Sequence, residues 1–334
     1  LVKKERAQYF TDLDGMRGVL ACTVMLYHLG LDTIVRRFTA GLIERGLWGA
    51  SVDFFFLLSG FVLYYSIERS RPTVASYFDK RIRRLAPMYL LTTIVMMVLA
   101  LRPYTVSDAI ANLLMVQSYF GIFTINRPAW SIPYELFLPV VLLPAARILR
   151  AASARRMAWI LALLIVCGGA LIVFCALGTD PLSVRAILGL GCGVVLGQVH
   201  QANAPATPRP ILVLFLFGTT VAIITLAIEL PFTAAFFYLA ATASIYFGAQ
   251  TQTILSSAPL RALGRWSYSI YLLHIPVLGT ASALVVAGDE SIVFKGSVVF
   301  VTIALAAFCF RFIEMPAMEA LRRGKSGIAV PPPA

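Results

Sequence analysis

The chain of 334 residues is 59% hydrophobic and 13% charged, with 28 Lys and Arg against 16 Asp and Glu and a mean hydropathy of +0.83. Soluble domains sit nearer half apolar and a quarter charged, so the composition sets aside a soluble globular fold. The net charge of +12 does not point to nucleic acid either: the cations fall mostly in alternate segments between apolar runs, the bias that orients membrane proteins.

Apolar runs of bilayer-crossing length recur along the whole chain. They predict an all-α polytopic membrane protein with ten spans, near 15–33, 47–67, 86–102, 131–149, 157–177, 183–200, 210–229, 232–250, 267–287 and 292–312. Residues 106–123 are too polar to cross and read as an interfacial or re-entrant helix. Lys3, Lys4 and Arg6, then Lys80 to Arg84, Arg147 to Arg156, Arg209, Arg261 and Arg265, and Arg322 to Lys325 mark one side as cytoplasmic. Arg36, Arg37, Arg45, Arg102, Arg127, Arg185 and Lys295 fall on the other, against Asp180, Glu229, Asp289 and Glu290. An even number of spans puts both termini inside, in an inner (plasma) membrane, with residues 1–320 as the membrane domain and 321–334 as a cytoplasmic tail. The five cysteines lie inside apolar runs without metal-like spacing and read as packing residues. The start shows no cleavable signal peptide. Gly189, Gly191, Gly193 and Gly197 form a small-residue face for close helix packing.

Ionisable groups inside spans are expensive, which makes each a functional hypothesis. Arg17 and His28 are eleven residues apart, three helical turns plus roughly 20°, so they share one face about 16 Å apart along the axis. Snorkelling is the bland account of Arg17, and a core hydrogen bond that of His28. Asp14 reads as part of a capping box, Thr11-x-x-Asp14, at the mouth of the same helix. Asp53 and Glu135 are carboxylates able to orient an imidazole or to tie helices together. His274 suits a helix–helix bond or catalysis equally. The run Lys80-Arg-Ile-Arg-Arg84 serves either topology or an anion site for phosphate, which Arg forks fit.

Several blocks then carry a resemblance. Leu13-Asp-Gly-Met-Arg-Gly, the Arg17/His28 pair, Val52-Asp-Phe-Phe-Phe-Leu-Leu-Ser-Gly-Phe61 and Lys80-Arg-Ile-Arg-Arg-Leu-Ala-Pro-Met-Tyr89 come first. Trp130-Ser-Ile-Pro-Tyr-Glu135, Ser267-Tyr-Ser-Ile-Tyr-Leu-Leu-His274 and Glu314-Met-Pro316 follow in the same order. Together they resemble the membrane-bound acyltransferase 3 family, whose bacterial members O-acylate surface carbohydrates. Two departures stand out: Pro133 precedes Glu135, where many members differ, and no esterase-like C-terminal extension follows, so a second transfer step would need a separate protein.

The resemblance implies acyl-CoA, usually acetyl-CoA, as a cytosolic donor, a carbohydrate hydroxyl as acceptor, and no metal. It implies His28 as general base or transient acyl carrier, with Asp53 or Glu135 orienting or charge-stabilising it, and Arg17, Arg81 and Arg84 on the CoA phosphates. Ser59, Ser131 or Tyr271 would stabilise an oxyanion. The competing classes are a transporter or flippase for a lipid-linked sugar or acyl carrier, and a sensing or structural membrane protein.

Overall fold

The computed structural model describes residues 10–30, 49–70, 72–149, 153–176, 182–203, 208–226, 231–284 and 291–323. The charged start, the first outer loop with Arg36, Arg37 and Arg45, the acidic Asp180, Glu229, Asp289 and Glu290, and the segment from 324 onward lie outside the described residues. Among the described residues there are helices and no strands. In chain order they are α1 Thr11–His28, α2 Ala50–Ser70, α3 Val74–Val98, α4 Val106–Leu113, α5 Ile132–Leu149, α6 Ala154–Ala176 and α7 Leu182–Ala202. Then come α8 Pro210–Leu226, α9 Pro231–Gly248, α10 Ala258–Leu284, α11 Ile292–Cys309 and α12 Met315–Arg323. Short 3₁₀ turns lie at Gln117–Tyr119, Arg127–Ser131 and Ile254–Ser256, and a π-helical turn, Phe310–Glu314, joins α11 to α12.

A helix stands at every expected span, but several bounds move. The helix α3 begins at Val74, well before 86, because the Thr73 hydroxyl caps it by accepting from the Ser76 N–H at 3.2 Å. Lys80 to Arg84 are therefore helical rather than a loop, and Arg83 pairs with Asp79 one turn back at 2.8 Å. Likewise α10 begins at Ala258, taking in Arg261 and Arg265, and α1 stops at His28. Among the described residues, three helices are by themselves long and apolar enough to cross a membrane: Ala50–Ser70, Leu182–Ala202 and the run Ile292–Ala320. Pro210–Leu226 and Phe236–Gly248 are shorter apolar helices. Cys192 and Cys309 are buried as expected, whereas Cys167 is exposed on the apolar outer face of α6. Residues 106–123 are not one helix. They form the eight-residue α4, a turn through Met115 with φ of 59°, and the 3₁₀ turn.

The chain divides into two compact units. The first comprises Leu1–Tyr64, Arg150–Asp180 and Leu188–Ser267. Glycines decide its packing. A Cβ on Gly60 would lie 2.1 Å from the Leu190 carbonyl oxygen, and one on Gly193 would lie 2.0 Å from that of Leu57. Gly189 meets Phe56 and Gly197 meets Tyr64, so 189, 193 and 197 form one face at four-residue spacing against α2. Gly191 points elsewhere, with nothing within 4 Å. At the foot of α1, Gly15 abuts the Leu255 carbonyl, while Gly18 and Gly264 bring α1 and the start of α10 into backbone contact. The glycines of Asp14-Gly-Met-Arg-Gly thus serve a helix crossing.

The second unit comprises Tyr65–Leu149, Pro181–Ile187 and Tyr268–Ala334. In it α3 packs on α5, on the π-helical turn and on α12. The short α4 is started by a complete capping box: the Thr105 hydroxyl accepts from the Asp108 N–H, and the Asp108 carboxylate accepts from the Thr105 N–H at 2.8 Å and its hydroxyl at 2.7 Å. These bonds hold the Asp108 carboxyl below the usual carboxylate range.

Two predictions follow from this packing. Gly60→Ala and Gly193→Ala each cost roughly 1–3 kcal/mol by overpacking, read as a fall in Tm in detergent, while Gly191→Ala leaves Tm nearly unchanged; equal effects at all three would refute the assigned face. Because Asp108 has a depressed folded pKa, its contribution is complete above the unfolded carboxylate pKa and is lost as pH falls through the folded value. The Tm gap between wild type and Asp108→Asn is thus full at neutral pH and closes in acid; a gap independent of pH contradicts the capping role.

Candidate active site

In the first unit, α1 carries Asp12, Asp14, Arg17 and His28. The N-cap of α1 is Phe10, with no side-chain cap, so Thr11-x-x-Asp14 is not a capping box: Thr11 is already helical. Asp12 is the anchored carboxylate instead. Fully buried, it accepts from the Thr251 hydroxyl at 2.7 Å and the Thr253 N–H at 2.9 Å. Asp14 and Arg17 are half-buried, at the level where Gly15 and Gly18 admit Leu255 and Gly264.

His28 is the last residue of α1 and half-buried, with its ring edge-on to Tyr27. Its Nδ1 lies 3.0 Å from the Val24 carbonyl oxygen. A carbonyl only accepts, so Nδ1 carries the proton and, in the neutral ring, Nε2 holds the basic lone pair. The backbone of its own helix thus holds Nδ1. Asp53 is fully buried in the first turn of α2.

In the second unit, Arg81 and Glu135 meet. The Arg81 Nε donates to the Glu135 carbonyl oxygen at 3.2 Å, and its terminal nitrogen lies 3.7 Å from the Glu135 carboxylate, both side chains 16% exposed. Pro133 does not disturb this. It occupies the first turn of α5, where its missing N–H costs no helical bond, and Glu135 follows at the positive end of the helix. Arg84, half-buried on α3, lies in the electrostatic surroundings of the Tyr268 phenol together with Glu314 and Glu135.

The block 267–274 on α10 is the meeting point. The Tyr268 hydroxyl donates to the Leu85 carbonyl at 2.6 Å, and the Ser269 hydroxyl to the Glu314 carboxylate that the π-helical turn presents. The Tyr271 hydroxyl donates to the Pro128 carbonyl, so at 3.2 Å Ser131 is the donor to the phenol oxygen. Neither proton is left for an oxyanion in this arrangement. His274, almost fully buried, holds the Ile270 carbonyl through Nδ1 at 3.2 Å. Among the described residues no group of three or more His, Cys, Asp or Glu could hold a metal ion.

A family model described as an acyltransferase domain, that of acyltransferase 3, matches residues 10–312. The chain belongs to this acyltransferase family. Among curated relatives, YrhL of Bacillus subtilis, provisionally named a peptidoglycan O-acetyltransferase, is 27% identical over 94% of this chain and 56% of its own length. The acyltransferase MdmB of Streptomyces mycarofaciens is 25% identical over 96% of this chain and 95% of its own. The peptidoglycan O-acetyltransferase OatA of Listeria monocytogenes is 25% identical over 92% and 56%. The chain therefore spans little more than half the length of YrhL and OatA. No solved structure matches it.

The acyltransferase 3 blocks read in the sequence are thus joined within the second unit: Lys80–Tyr89 to Glu135 and Tyr268, Ser131 to Tyr271, and Ser269 to Glu314. Sequence reasoning passed over Asp12, in the same Thr-Asp-Leu-Asp run as Asp14, and Arg185, which it counted only as a charge of the outer side. Arg185 lies within α7, 8% exposed, with its guanidinium 5.5 Å from the Trp130 ring centroid. The signal for Arg185 was its position two residues into an apolar run.

A double-mutant cycle tests the Arg81–Glu135 pair. Arg81→Ala, Glu135→Ala and the double variant give a coupling of about 1 kcal/mol in thermal stability; Arg81→Lys keeps the charge pairing but loses the Nε bond to the Glu135 backbone carbonyl, so its Tm stays below that of wild type. Strict additivity would dissolve the pair.

Proposed function

We propose that this protein is a multi-pass O-acyltransferase of the plasma membrane. It moves an acyl group, acetyl in the first instance, from cytosolic acyl-CoA to a hydroxyl of a cell-surface or secreted carbohydrate. The observation that carries the reading is His28, inside the matched acyltransferase region, with Nδ1–H committed to the Val24 carbonyl and Nε2 as the basic nitrogen.

Nε2 takes the proton of the acceptor hydroxyl as its oxygen attacks the thioester carbonyl. The new C–O ester bond forms, the C–S bond breaks, and the CoA thiolate leaves with the proton that His28 returns. Arg81 and Arg84, on α3, are the cations for the donor's phosphates. Glu135 holds Arg81 at the first turn of α5 and yields it when phosphate arrives, a change the loose 3.7 Å ion pair favours. The names of YrhL and OatA support a glycan of the cell envelope as acceptor.

Membrane placement is supported by apolar faces turned outward. Trp159, Leu163 and Val166 are exposed on one face of α6, and the apolar window of Ile292–Ala320 is only 22% buried. Surfaces of that size suit lipid. On the charge pattern, ten spans leave both termini in the cytoplasm.

Purified protein in detergent, supplied with acetyl-CoA and a peptidoglycan fragment, releases CoA thiol, and His28→Ala lowers the rate by a hundredfold or more, the scale of general-base catalysis. Release that survives the loss of His28 sinks the mechanism. No release with any acyl-CoA favours a transporter or flippase.

A further inference from the structure

At the end of α3 away from Arg81 and Arg84, the second unit carries two more arginines. Ala100, with φ of 47°, turns the chain after α3, and the Tyr104 hydroxyl donates back to the Met97 carbonyl at 3.3 Å. Between these two anchors stands Arg102, half-buried, its guanidinium 4.4 Å from the centroid of the Phe123 ring. Exposed Arg127 is close enough for its charge to act on Arg102. On the charge pattern both fall on the outer side, where cations are disfavoured. Among the described residues neither has an ion-pair partner. A ring attracts a cation but offers no oxygen to its N–H groups. The Asp108 carboxylate is engaged by Thr105. Two like charges held together in this way call for an anion.

The neighbouring helix says which kind. On α4, Val106, Ile110, Leu113 and Leu114 fall within an arc of about 100°, and all four are exposed, Val106 by 77%. Ala111 and Asn112, on the opposite side, are buried. The helix thus turns its apolar face outward. With eight residues it is too short to cross a bilayer, and such a face suits the apolar edge of a leaflet. The arginines and the helix are tied together. Asn112 on α4 donates to the Phe123 carbonyl at 2.7 Å and accepts from the Ile125 N–H at 3.1 Å, while Arg102 lies over the Phe123 ring four residues before Val106.

A soluble anion would use the arginines and leave the apolar face bare; a lipid with a phosphate in its headgroup uses both. We propose that Arg102 and Arg127 bind the phosphate of an anionic phospholipid in the outer leaflet, with its acyl chains against the exposed face of α4. Guanidinium forks suit the phosphate oxygens. The inference rests on the membrane placement proposed above.

The test measures equilibrium binding of three probes to the purified full chain in detergent: phosphatidylglycerol, phosphatidylcholine of the same chains, and glycerol 3-phosphate. Wild type binds phosphatidylglycerol most tightly. Arg102→Gln with Arg127→Gln weakens it about tenfold, the scale of a lost charge-assisted hydrogen bond, and leaves phosphatidylcholine unchanged. Arg155→Gln with Arg156→Gln, which removes equal charge from exposed positions on α6, leaves phosphatidylglycerol binding intact. Ile110→Ser with Leu114→Ser weakens both phospholipids. If both arginine pairs lower phosphatidylglycerol binding alike, or if wild type does not distinguish the two phospholipids, the site is overturned. Glycerol 3-phosphate binding as tightly as phosphatidylglycerol overturns the lipid in favour of a free anion. If wild type binds neither phospholipid, the membrane placement itself fails.

Discussion

The second unit depends on one constraint: polar groups on α10, inside an apolar fold, must find partners on other elements. Within five residues, Tyr268, Ser269, Tyr271 and the Leu272 carbonyl bond to Leu85 on α3, Glu314 in the π-helical turn, Ser131 with Pro128, and Asn126. Each bond is the alternative to a buried unpaired group, so together they specify how these elements are arranged. Tyr268, Tyr271 and Leu272 follow the spacing of one helix face, while Ser269 reaches the π-helical turn from beside it. The extra residue of a π turn turns Glu314 inward, which an unbroken α-helix would not do at that register.

The first unit solves a different problem, that of bringing helices close. Gly60 against Leu190, Gly193 against Leu57, and Gly15, Gly18 and Gly264 at the foot of α1 are places where backbone meets backbone. Where lipid is the surrounding solvent, apolar side chains gain little by leaving it, and close packing of small residues takes over the work of association. Asp12 adds the polar counterpart, fastening α1 to the Thr251–Thr253 segment. Arg17 and His28 thus sit on a helix whose lower half is rigidly held.

Backbone carbonyls orient the two imidazoles. His28 and His274 each give Nδ1–H to the carbonyl one turn back, which leaves Nε2 as the basic atom of the neutral ring. Arg81 is steered by a carbonyl as well as by a carboxylate. These arrangements use groups that every helix has, which is why no spacing of carboxylates in the sequence foretells them.

Much of this was legible in the chain. Ten apolar runs each meet a helix, and the glycine face of α7 was readable from four-residue spacing, Gly191 excepted. Arg17 and His28 both fall on α1, the helix that the apolar run foretold. Hydropathy could not find the starts of α3 and α10, because a polar helical turn ahead of an apolar one looks like a loop until a cap such as Thr73 is seen. Nor could it choose Asp12 over Asp14, or bring Asn126 to Thr92 and to the Leu272 carbonyl, partners 34 and 146 residues away. The sequence by itself determined the helices, their glycine faces and the residue types available for acyl transfer, since these depend on local periodicity and composition. Only the tertiary structure decided which carboxylate is anchored, which tautomer His28 adopts and which polar atoms stay unpaired, because those depend on groups that folding brings together from distant parts of the chain.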